Sequence, residues 1–334
     1  MSVYSISPVT LREIRTYPLA SRKSKVRVCD FAKPPAANAS IGKFLDSLPA
    51  ILAGSDFRDL AAALQQAKQR RKAILWGLGG HVIKVGLGPI LTALMRRGFV
   101  SGIAMNGAAL VHDFEIALSG GTSEDVDASL KTGEFGMATE TGLFLNQISV
   151  TATFHGIGYG EAAGKFLAGR KLERENAAAS VLLNAYQHRI PVTVHLAIGA
   201  DIPHMHPMAD GAALGASTHH DFRLFCAMVA QMDGGGAYLN WGSAVMLPEI
   251  FLKAVAVARN RGTALDKITT ANFDFIQHYR PLQNVVRRPT AAAAGAKGAP
   301  TSRGFAITGH HELLMPLLAT ALVSGWPKKS RGAK

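Results

Sequence analysis

Short apolar blocks alternate with longer stretches of helical periodicity along most of the chain, after a polar N-terminal arm. The blocks of strand length are Ala73–Gly77, Gly102–Gly107, Val192–Gly199, Gly235–Asn240 and Phe273–Gln277. Helical patterns lie near residues 56–70, 81–97, 109–118, 174–188, 219–231, 246–260 and 311–324. Continuous apolar strands that alternate with helices are typical of a parallel sheet covered on both faces. The pattern therefore predicts a single doubly wound α/β domain with a mostly parallel sheet.

Several predicted strands end in glycine directly before a helix. Such turns are Gly77–His81 and Asn106–Ala109. Asp210-Gly211 follows another strand after a short loop, and Gly234–Gly236 opens another. Ligands of open α/β sheets bind at the carboxyl ends of the strands, where glycine lets a phosphate approach the backbone. Several such turns together predict a nucleotide site. It is not of the standard kinds, because the spacing in Gly160–Phe166 excludes a P-loop and no complete G-x-G-x-x-G is present.

Composition places the chain among globular proteins. Of 334 residues, 48% are hydrophobic, which excludes a largely disordered chain. Two cysteines, Cys29 and Cys226, are too few for a disulfide framework, so a reducing, cytoplasmic location is expected. We find no apolar run of membrane-spanning length and no signal peptide, and we expect no membrane partner.

The net charge of +13 is concentrated in an N-terminal arm, residues 1–24, in the cluster at 68–72, and in a basic tail, residues 326–334. Clustered cations can bind nucleic acid by releasing counterions from phosphates. No RNP motif, zinc finger or helix-turn-helix signature accompanies the charge, so nucleic-acid binding is not expected. The same charge would attract an acidic partner or a nucleotide.

Ordered motifs between residues 25 and 325 resemble those of the deoxyhypusine synthase family. WGLGGHVIKVGL at Trp76–Leu87 stands where the family has LGYTSNLISSGI, and MNGAALVHDF at 105–114 where it has TTAGGVEEDL. Downstream, the GEF of Gly133-Glu134-Phe135 is shared, and Ile190-Pro191-Val192 with Ala209-Asp210-Gly211 is similar to IPVF…TDGS. GGGAYLNW at 234–241 stands for GGGVVKHH, and LLMPLL at 313–318 for LVFPLL.

The resemblance implies a Rossmann-like fold, an NAD cofactor and a homo-oligomer, usually a tetramer with sites between subunits. The family moves an aminobutyl group from spermidine through a lysine imine to an acceptor amine. That acceptor is a protein lysine, or putrescine in homospermidine synthases. The implied NAD-binding residues are Gly79, Gly80, His81, Asn106, Gly107, Ala108, Asp113, Asp210, Gly211 and His310. Replacing Gly79 by a bulky residue is expected to abolish NAD binding and to leave the fold intact.

The substrate is less well defined by the resemblance than the cofactor. The resemblance places Asn240 where the family has a histidine that contacts the polyamine. Trp241, beside it, and Glu134, in the shared GEF, are the other candidate substrate-binding residues. Lys297 precedes Pro316 by 19 positions, as the imine-forming lysine of the family precedes its proline, so the resemblance nominates Lys297 as the catalytic lysine. Most carboxylates of the family's polyamine pocket are replaced here. A small-molecule amine is therefore expected as substrate, with a protein lysine among the candidate acceptors.

Clustered histidines support other kinds of chemistry. His204, His206 and His311 are candidates for general acid–base catalysis, because imidazole titrates near neutral pH. The same three side chains could instead be metal ligands in a hydrolase or lyase. A non-catalytic nucleotide-binding protein is the third alternative, favoured by the loss of the acidic pocket.

Overall fold

A computed structural model describes residues 3–291 and 302–327 of the chain. Within them, six parallel strands form one sheet in the order β3-β2-β1-β4-β5-β6. The strands are β1 Ile74–Leu78, β2 Gly102–Asn106, β3 Val192–His195, β4 Ala237–Trp241, β5 Thr269–Asp274 and β6 Arg303–Thr308. The chain thus adopts a doubly wound, Rossmann-like α/β fold, which confirms the predicted class. Its topological switch point lies between β1 and β4, where the direction of winding reverses.

Thirteen α-helices of more than three residues flank the described sheet. They are α1 Ile41–Ser47, α2 Leu52–Gln69, α3 Gly80–Lys84, α4 Gly88–Arg96, α5 Gly107–Ser119, α6 Val126–Thr132, α7 Thr139–His155, α8 Tyr159–Ala168, α9 Arg174–Ala179, α10 Val181–Gln187, α11 Gly211–Ala230, α12 Met246–Asn260 and α13 His311–Val323. A short segment, Tyr279–Pro281, leads into a helix of π type at Leu282–Arg287. No described helix has both the length and the apolar character needed to cross a membrane.

The sheet buries a separate core on each face because successive strand side chains point to opposite sides. Trp76 belongs to the larger cluster, which includes α2, α4, α5, α10 and α13, whereas its neighbour Leu75 belongs to the cluster beneath α11 and α12. Rings from three adjacent strands stack on the first face. The ring centroids of Trp76 and Trp241 are 5.7 Å apart, and those of Trp241 and Phe273 are 3.8 Å apart. These rings form a continuous apolar layer over β1, β4 and β5.

The structure corrects several predicted boundaries. Strand β5 covers Thr269–Asp274 and not Phe273–Gln277, and α11 begins at Gly211, eight residues before its predicted start. The helix predicted at 81–97 is interrupted at Gly86, which has a left-handed φ of 77°. The helix predicted at 174–188 is divided at Ser180, whose extended backbone ends α9 and whose hydroxyl caps α10. Strand β6 and helices α1, α6, α7 and α8 were not predicted.

Candidate functional site

The turns after β1 and β4 meet at the switch point. The Gly79 N–H donates to the Trp241 carbonyl at 2.8 Å, and a Cβ at Gly79 would collide with the Gly242 carbonyl. Gly242 itself has a left-handed φ of 65°. Glycine is thus required here for the approach of two backbones, independently of any ligand. The expectation that a bulky residue at Gly79 leaves the fold intact is therefore wrong.

The turn after β2 is largely occupied by the protein's own side chains. Asn106 caps α5 by accepting the Ala109 N–H at 2.9 Å. The carboxylate of Asp201 lies against Gly107, where a Cβ would collide with it, and burial raises the pKa of Asp201. Ala108 is exposed and packs close to Gly80. Of the three predicted cofactor contacts in this turn, Ala108 is therefore the most accessible to a ligand.

Imidazole and phenyl rings gather beyond the ends of β1, β5 and β6. The rings of His81 and His311 lie 5.4 Å apart, and Phe275 stacks with His310 at 6.0 Å and an interplanar angle of 14°. Phe275, His81 and His310 are exposed, whereas His311 is fully buried. We call these four residues the ring cluster. It offers exposed aromatic faces directly at the switch point, to which a planar ligand could stack.

The buried member of the ring cluster has a defined tautomer. His311 Nε2 lies 3.1 Å from the Phe273 carbonyl, which can only accept, so Nε2 carries the proton. Nδ1 is then an acceptor, and it has no partner among the described residues. Burial lowers the pKa of His311, which keeps the ring neutral near pH 7. His311 therefore supplies a buried, unused hydrogen-bond acceptor beside the exposed rings.

The predicted substrate residues Asn240 and Trp241 lie inside the protein. Asn240 donates to the Ser243 carbonyl and to Asn272 Oδ1, at 2.9 and 2.7 Å, and Asn272 in turn donates to Gln277. Both Asn240 and Trp241 are fully buried. These contacts give the two side chains structural roles, in an amide chain and in the stack of rings. Direct contact with a substrate would require them to become accessible.

Two aspartates predicted to bind the cofactor act as helix caps. Asp113 is fully buried and accepts the Ser180 hydroxyl and the N–H groups of Val181 and Leu182, at 2.8, 2.6 and 2.9 Å. It therefore points into the core at the start of α10, away from solvent. Asp210 is exposed and caps α11 through the N–H groups of the first turn, and Gly211 begins that helix. Asp210 and Gly211 remain accessible to a ligand.

The proposed metal ligands are not brought together. His204 Nδ1 accepts the Gly199 N–H, and His206 Nδ1 accepts the Met208 N–H, both at 3.1 Å, within the loop that follows β3. His311 lies instead over the end of β5, bonded to Phe273. Among the described residues, no group of three or more His, Cys, Asp or Glu side chains could hold a metal ion. The three histidines therefore do not form the ligand set that the metal hypothesis requires. The two imidazoles in the loop after β3 instead accept hydrogen bonds from the backbone of that loop.

The remaining predicted residues lie apart from the switch point or outside the described chain. Glu134 is exposed and accepts the Thr132 hydroxyl at 2.7 Å. Lys297 lies outside the described residues, so its assignment as the catalytic lysine stays a prediction.

Two cavities differ in their position relative to the sheet. One of about 510 Å³ lies at the amino end of β3, beside Val192. Another, of about 470 Å³, lies beside α3 and α5 at the carboxyl end and is lined in part by Lys84, His112 and Glu115. The second is the better functional candidate, since ligands of such sheets bind at the carboxyl edge. This cavity was not predicted from the sequence, because the loop after α5 brings its polar side chains together.

Comparison with known proteins gives similarity of fold only. No protein-family model and no curated protein matches the chain. Three solved structures among those that resemble it are ArgZ, AgrE and a protein assigned as a deoxyhypusine synthase. ArgZ, an arginine dihydrolase from cyanobacteria, is 18% identical with a TM-score of 0.45, over 82% of this chain and 33% of its own.

The other two structures have lower sequence identity to this chain. AgrE, in a ternary complex with ornithine and NAD⁺, is 14% identical with a TM-score of 0.48, over 87% of this chain and 34% of its own. The assigned deoxyhypusine synthase, from Entamoeba histolytica, is 11% identical with a TM-score of 0.47, over 86% of this chain and 94% of its own. The chain spans about one third of the length of ArgZ and AgrE. None of these similarities assigns a family or an activity.

Proposed function

We propose that the chain binds NAD at the switch point, across the turns after β1 and β4 and against the ring cluster. The observation that carries the proposal is the strand order β3-β2-β1-β4-β5-β6, whose reversal places these turns and rings at one point of the carboxyl edge. NAD supplies a hydride acceptor when bound. The chain's own residues would bind and orient it.

The residues at this point suit a dinucleotide. Exposed rings of Phe275, His81 and His310 can stack with a planar base. Helix α13 begins in the ring cluster, and His310, its N-cap residue, makes no side-chain cap bond. The first N–H groups of that helix therefore favour negative charge.

The ordered motifs that resemble deoxyhypusine synthase support a finer proposal. We infer an NAD-dependent transferase that oxidises a small amine and passes part of it to an acceptor amine. In that scheme the substrate's C–N bond would be oxidised to an imine with NAD as the hydride acceptor, and Lys297 Nζ would bond to that carbon while the rest of the substrate leaves as a free amine. The acceptor amine would then displace Lys297, and return of the hydride would reduce the new imine. The proposal also includes assembly of copies of this chain, because Phe275, Ile276 and Leu313 leave large apolar side chains exposed near the site. Light scattering at micromolar concentration would measure that assembly, and a stable monomer would contradict it.

Calorimetric titration with NAD tests the central claim. We expect saturable binding by the natural chain and at least tenfold weaker binding by Phe275→Ala and by His81→Ala, since each removes an exposed ring without leaving a core cavity. Phe154→Ala is the matched control, because Phe154 is an exposed phenylalanine at the end of α7.

The outcomes of this titration distinguish a chain that does not bind NAD from one that binds it at another place. If the natural chain does not bind NAD, the proposal is overturned. If it binds NAD and all three variants bind equally well, the cofactor lies elsewhere and the assignment to the ring cluster fails.

A further inference from the structure

A third cavity lies between helices α11 and α12, away from the proposed NAD site. It measures about 750 Å³, a volume typical of small-molecule sites. The two helices end beside it and are followed by strands β4 and β5, so the cavity lies toward the amino edge of the sheet. We call it the α11–α12 cavity and define it by the lining residues Phe222, Arg223, Cys226, Val257, Arg261 and Thr263.

The floor of the α11–α12 cavity is apolar and continuous with the core. Cys226 belongs to the core cluster beneath α11 and α12, and Phe222 and Val257 pack against that cluster as partly buried side chains. Short side chains leave the space between the helices open, because the remaining lining residues are Ala227, Ala230 and Ala258. An aliphatic chain placed in this space would be removed from water and would extend the core.

The rim of the α11–α12 cavity carries positive charge without a counter-charge. Arg223 and Arg261 are exposed, and their guanidinium groups form no hydrogen bond or ion pair with the residues that the structure describes. No aspartate or glutamate is among the described lining residues. Arg261 follows the end of α12, where the helix dipole favours a cation in any case, but Arg223 lies in the middle of α11, where that effect does not act. The two guanidinium groups are therefore available to an anion.

An apolar floor beneath a cationic rim fits a ligand with two unlike ends. A purely apolar molecule would leave the guanidinium groups unused, and an inorganic anion would leave the apolar floor in contact with water. A carboxylate suits the rim, because its two oxygens match the parallel N–H donors of an arginine. An aliphatic chain that ends in a carboxylate satisfies both parts of the cavity together.

We propose that the α11–α12 cavity binds an aliphatic carboxylate, with its chain against Phe222, Cys226 and Val257 and its head group held by Arg223 and Arg261. Binding forms and breaks no covalent bond. The inference does not depend on the proposed NAD site, because that site lies at the opposite, carboxyl edge of the sheet. It adds a second ligand site to the chain, for a ligand of a different class.

The thiol of Cys226 reports on occupancy of the α11–α12 cavity without relying on turnover. Cys226 is 8% exposed, whereas Cys29 is exposed and serves as an internal control in the same chain. Burial raises the pKa of the Cys226 thiol, so alkylation by neutral iodoacetamide is followed at about pH 8.5, where thiols begin to ionise. Octanoate should slow the alkylation of Cys226 saturably, by about tenfold, and leave that of Cys29 unchanged. Peptide mass spectrometry measures the two rates separately.

Ligand and protein variants separate the two parts of the cavity. Acetate, which lacks the chain, and octyltrimethylammonium, which has the opposite charge, should each protect Cys226 about tenfold more weakly than octanoate. Arg223→Gln should weaken octanoate protection by a similar factor, whereas Arg174→Gln, which removes an exposed arginine on α9, should leave it unchanged.

A second pair of variants fills the space from exposed positions, so that misfolding does not obscure the result. Ala227→Phe places a ring in the cavity and should abolish protection by octanoate, whereas Ala256→Phe, on an exposed position of α12 outside the lining, should not. Near-UV circular dichroism should stay native in both. Absent protection, equal protection by octyltrimethylammonium, or unchanged protection in Arg223→Gln would overturn the inference. Protection of Cys226 that grows with protein concentration in the absence of octanoate would identify a second copy of the chain as the occupant, and would overturn it as well.

Discussion

Adjacent residues on α5 face two environments with opposite uses for a titratable group. Asp113 is fully buried, and three hydrogen bonds from the start of α10 satisfy its carboxylate. His112, one residue earlier, is half-buried at the cavity beside α3 and α5, and its Nδ1 is bonded to Thr122. The difference teaches that helix face, and not position in a sequence motif, separates a structural group from one available to a ligand.

A second buried carboxylate, Asp221, plays a similar structural role beside the edge strand β3. Asp221 on α11 is fully buried, and its Oδ2 accepts the N–H groups of Gly160 and Val194 at 2.9 and 2.8 Å. Helix α8 begins after Gly158, which has no side chain to cap it, so a carboxylate from another helix takes that role. Asp113 and Asp221 thus join elements distant in sequence, and we call them the framework carboxylates.

The largest effect is expected from removing a framework carboxylate. Asp113→Ala should lower the free energy of unfolding by about 3 kcal/mol, because two backbone N–H groups and a hydroxyl lose their buried acceptor. Urea denaturation measures the change. A loss below about 1 kcal/mol would show that water replaces the carboxylate and would weaken the distinction between the two faces of α5.

A smaller loss is expected at the exposed cap. Asp210→Ala should cost about 1 kcal/mol, the usual value for an N-cap aspartate, because solvent can satisfy the freed N–H groups of α11. The same urea titration gives the comparison with Asp113. Calorimetry with NAD on this variant also tests the predicted contact of Asp210 with the cofactor, which requires weaker NAD binding than the natural chain shows.

The polar side chains that line the cavity beside α3 and α5 should contribute least to the free energy of unfolding. Thr122→Val should lower the free energy of unfolding by about 0.5 kcal/mol, since its partners are half-buried and water can reach them. A loss as large as that of Asp113→Ala would place Thr122 in the framework and remove the contrast.

The opposite pKa shifts of Asp113 and His112 partly cancel in the pH dependence of the free energy of unfolding. Removing one of the two groups should therefore make that dependence steeper. Burial raises the pKa of Asp113 from 3.8 to about 6, so between these values the folded state binds more protons and stability falls as pH rises. For His112 the pKa falls from 6.5 to about 4, so the folded state binds fewer protons and stability rises with pH. His112→Gln should therefore lose stability more steeply than the natural chain from pH 4 to 6. Parallel curves from urea unfolding at three pH values would contradict this.

Sequence analysis predicted the strands whose residues form continuous apolar blocks. Strands β1, β2 and β4 were found because both of their faces are buried in apolar cores. Strand β5 was displaced because its buried positions include Thr270 and Asn272, which look polar in sequence. Strand β6 alternates buried and more accessible residues at the edge of the sheet, so it lacks an apolar run. Burial in the sheet overrode the local pattern in both cases.

The position of the candidate site could be predicted from the sequence, but the roles of its individual residues were predicted less well. Glycine turns identified the carboxyl edge, yet Gly79 and Gly107 are explained by contacts with Gly242 and Asp201. His112 stands where the resembled motif has a glutamate, and no role was predicted for it. Its partner Thr122 lies ten residues away across the end of α5, and no periodicity connects the two. The contact between them is found only in the structure, where the loop after α5 brings Thr122 beside His112.

The position of β1 in the sheet has a consequence for how the chain acquires its fold during synthesis. Leu75 aligns with Gly102, 27 positions later, but also with Tyr238, 163 positions later. Closing the longer loop costs about 1.6 kcal/mol more chain entropy than closing the shorter one. On a ribosome, β1, β2 and β3 can assemble while β4 has yet to be made, which leaves the other edge of β1 unpaired. The chain must then protect a nascent sheet edge until its second half emerges, and aggregation during translation is the failure to which this topology is most exposed.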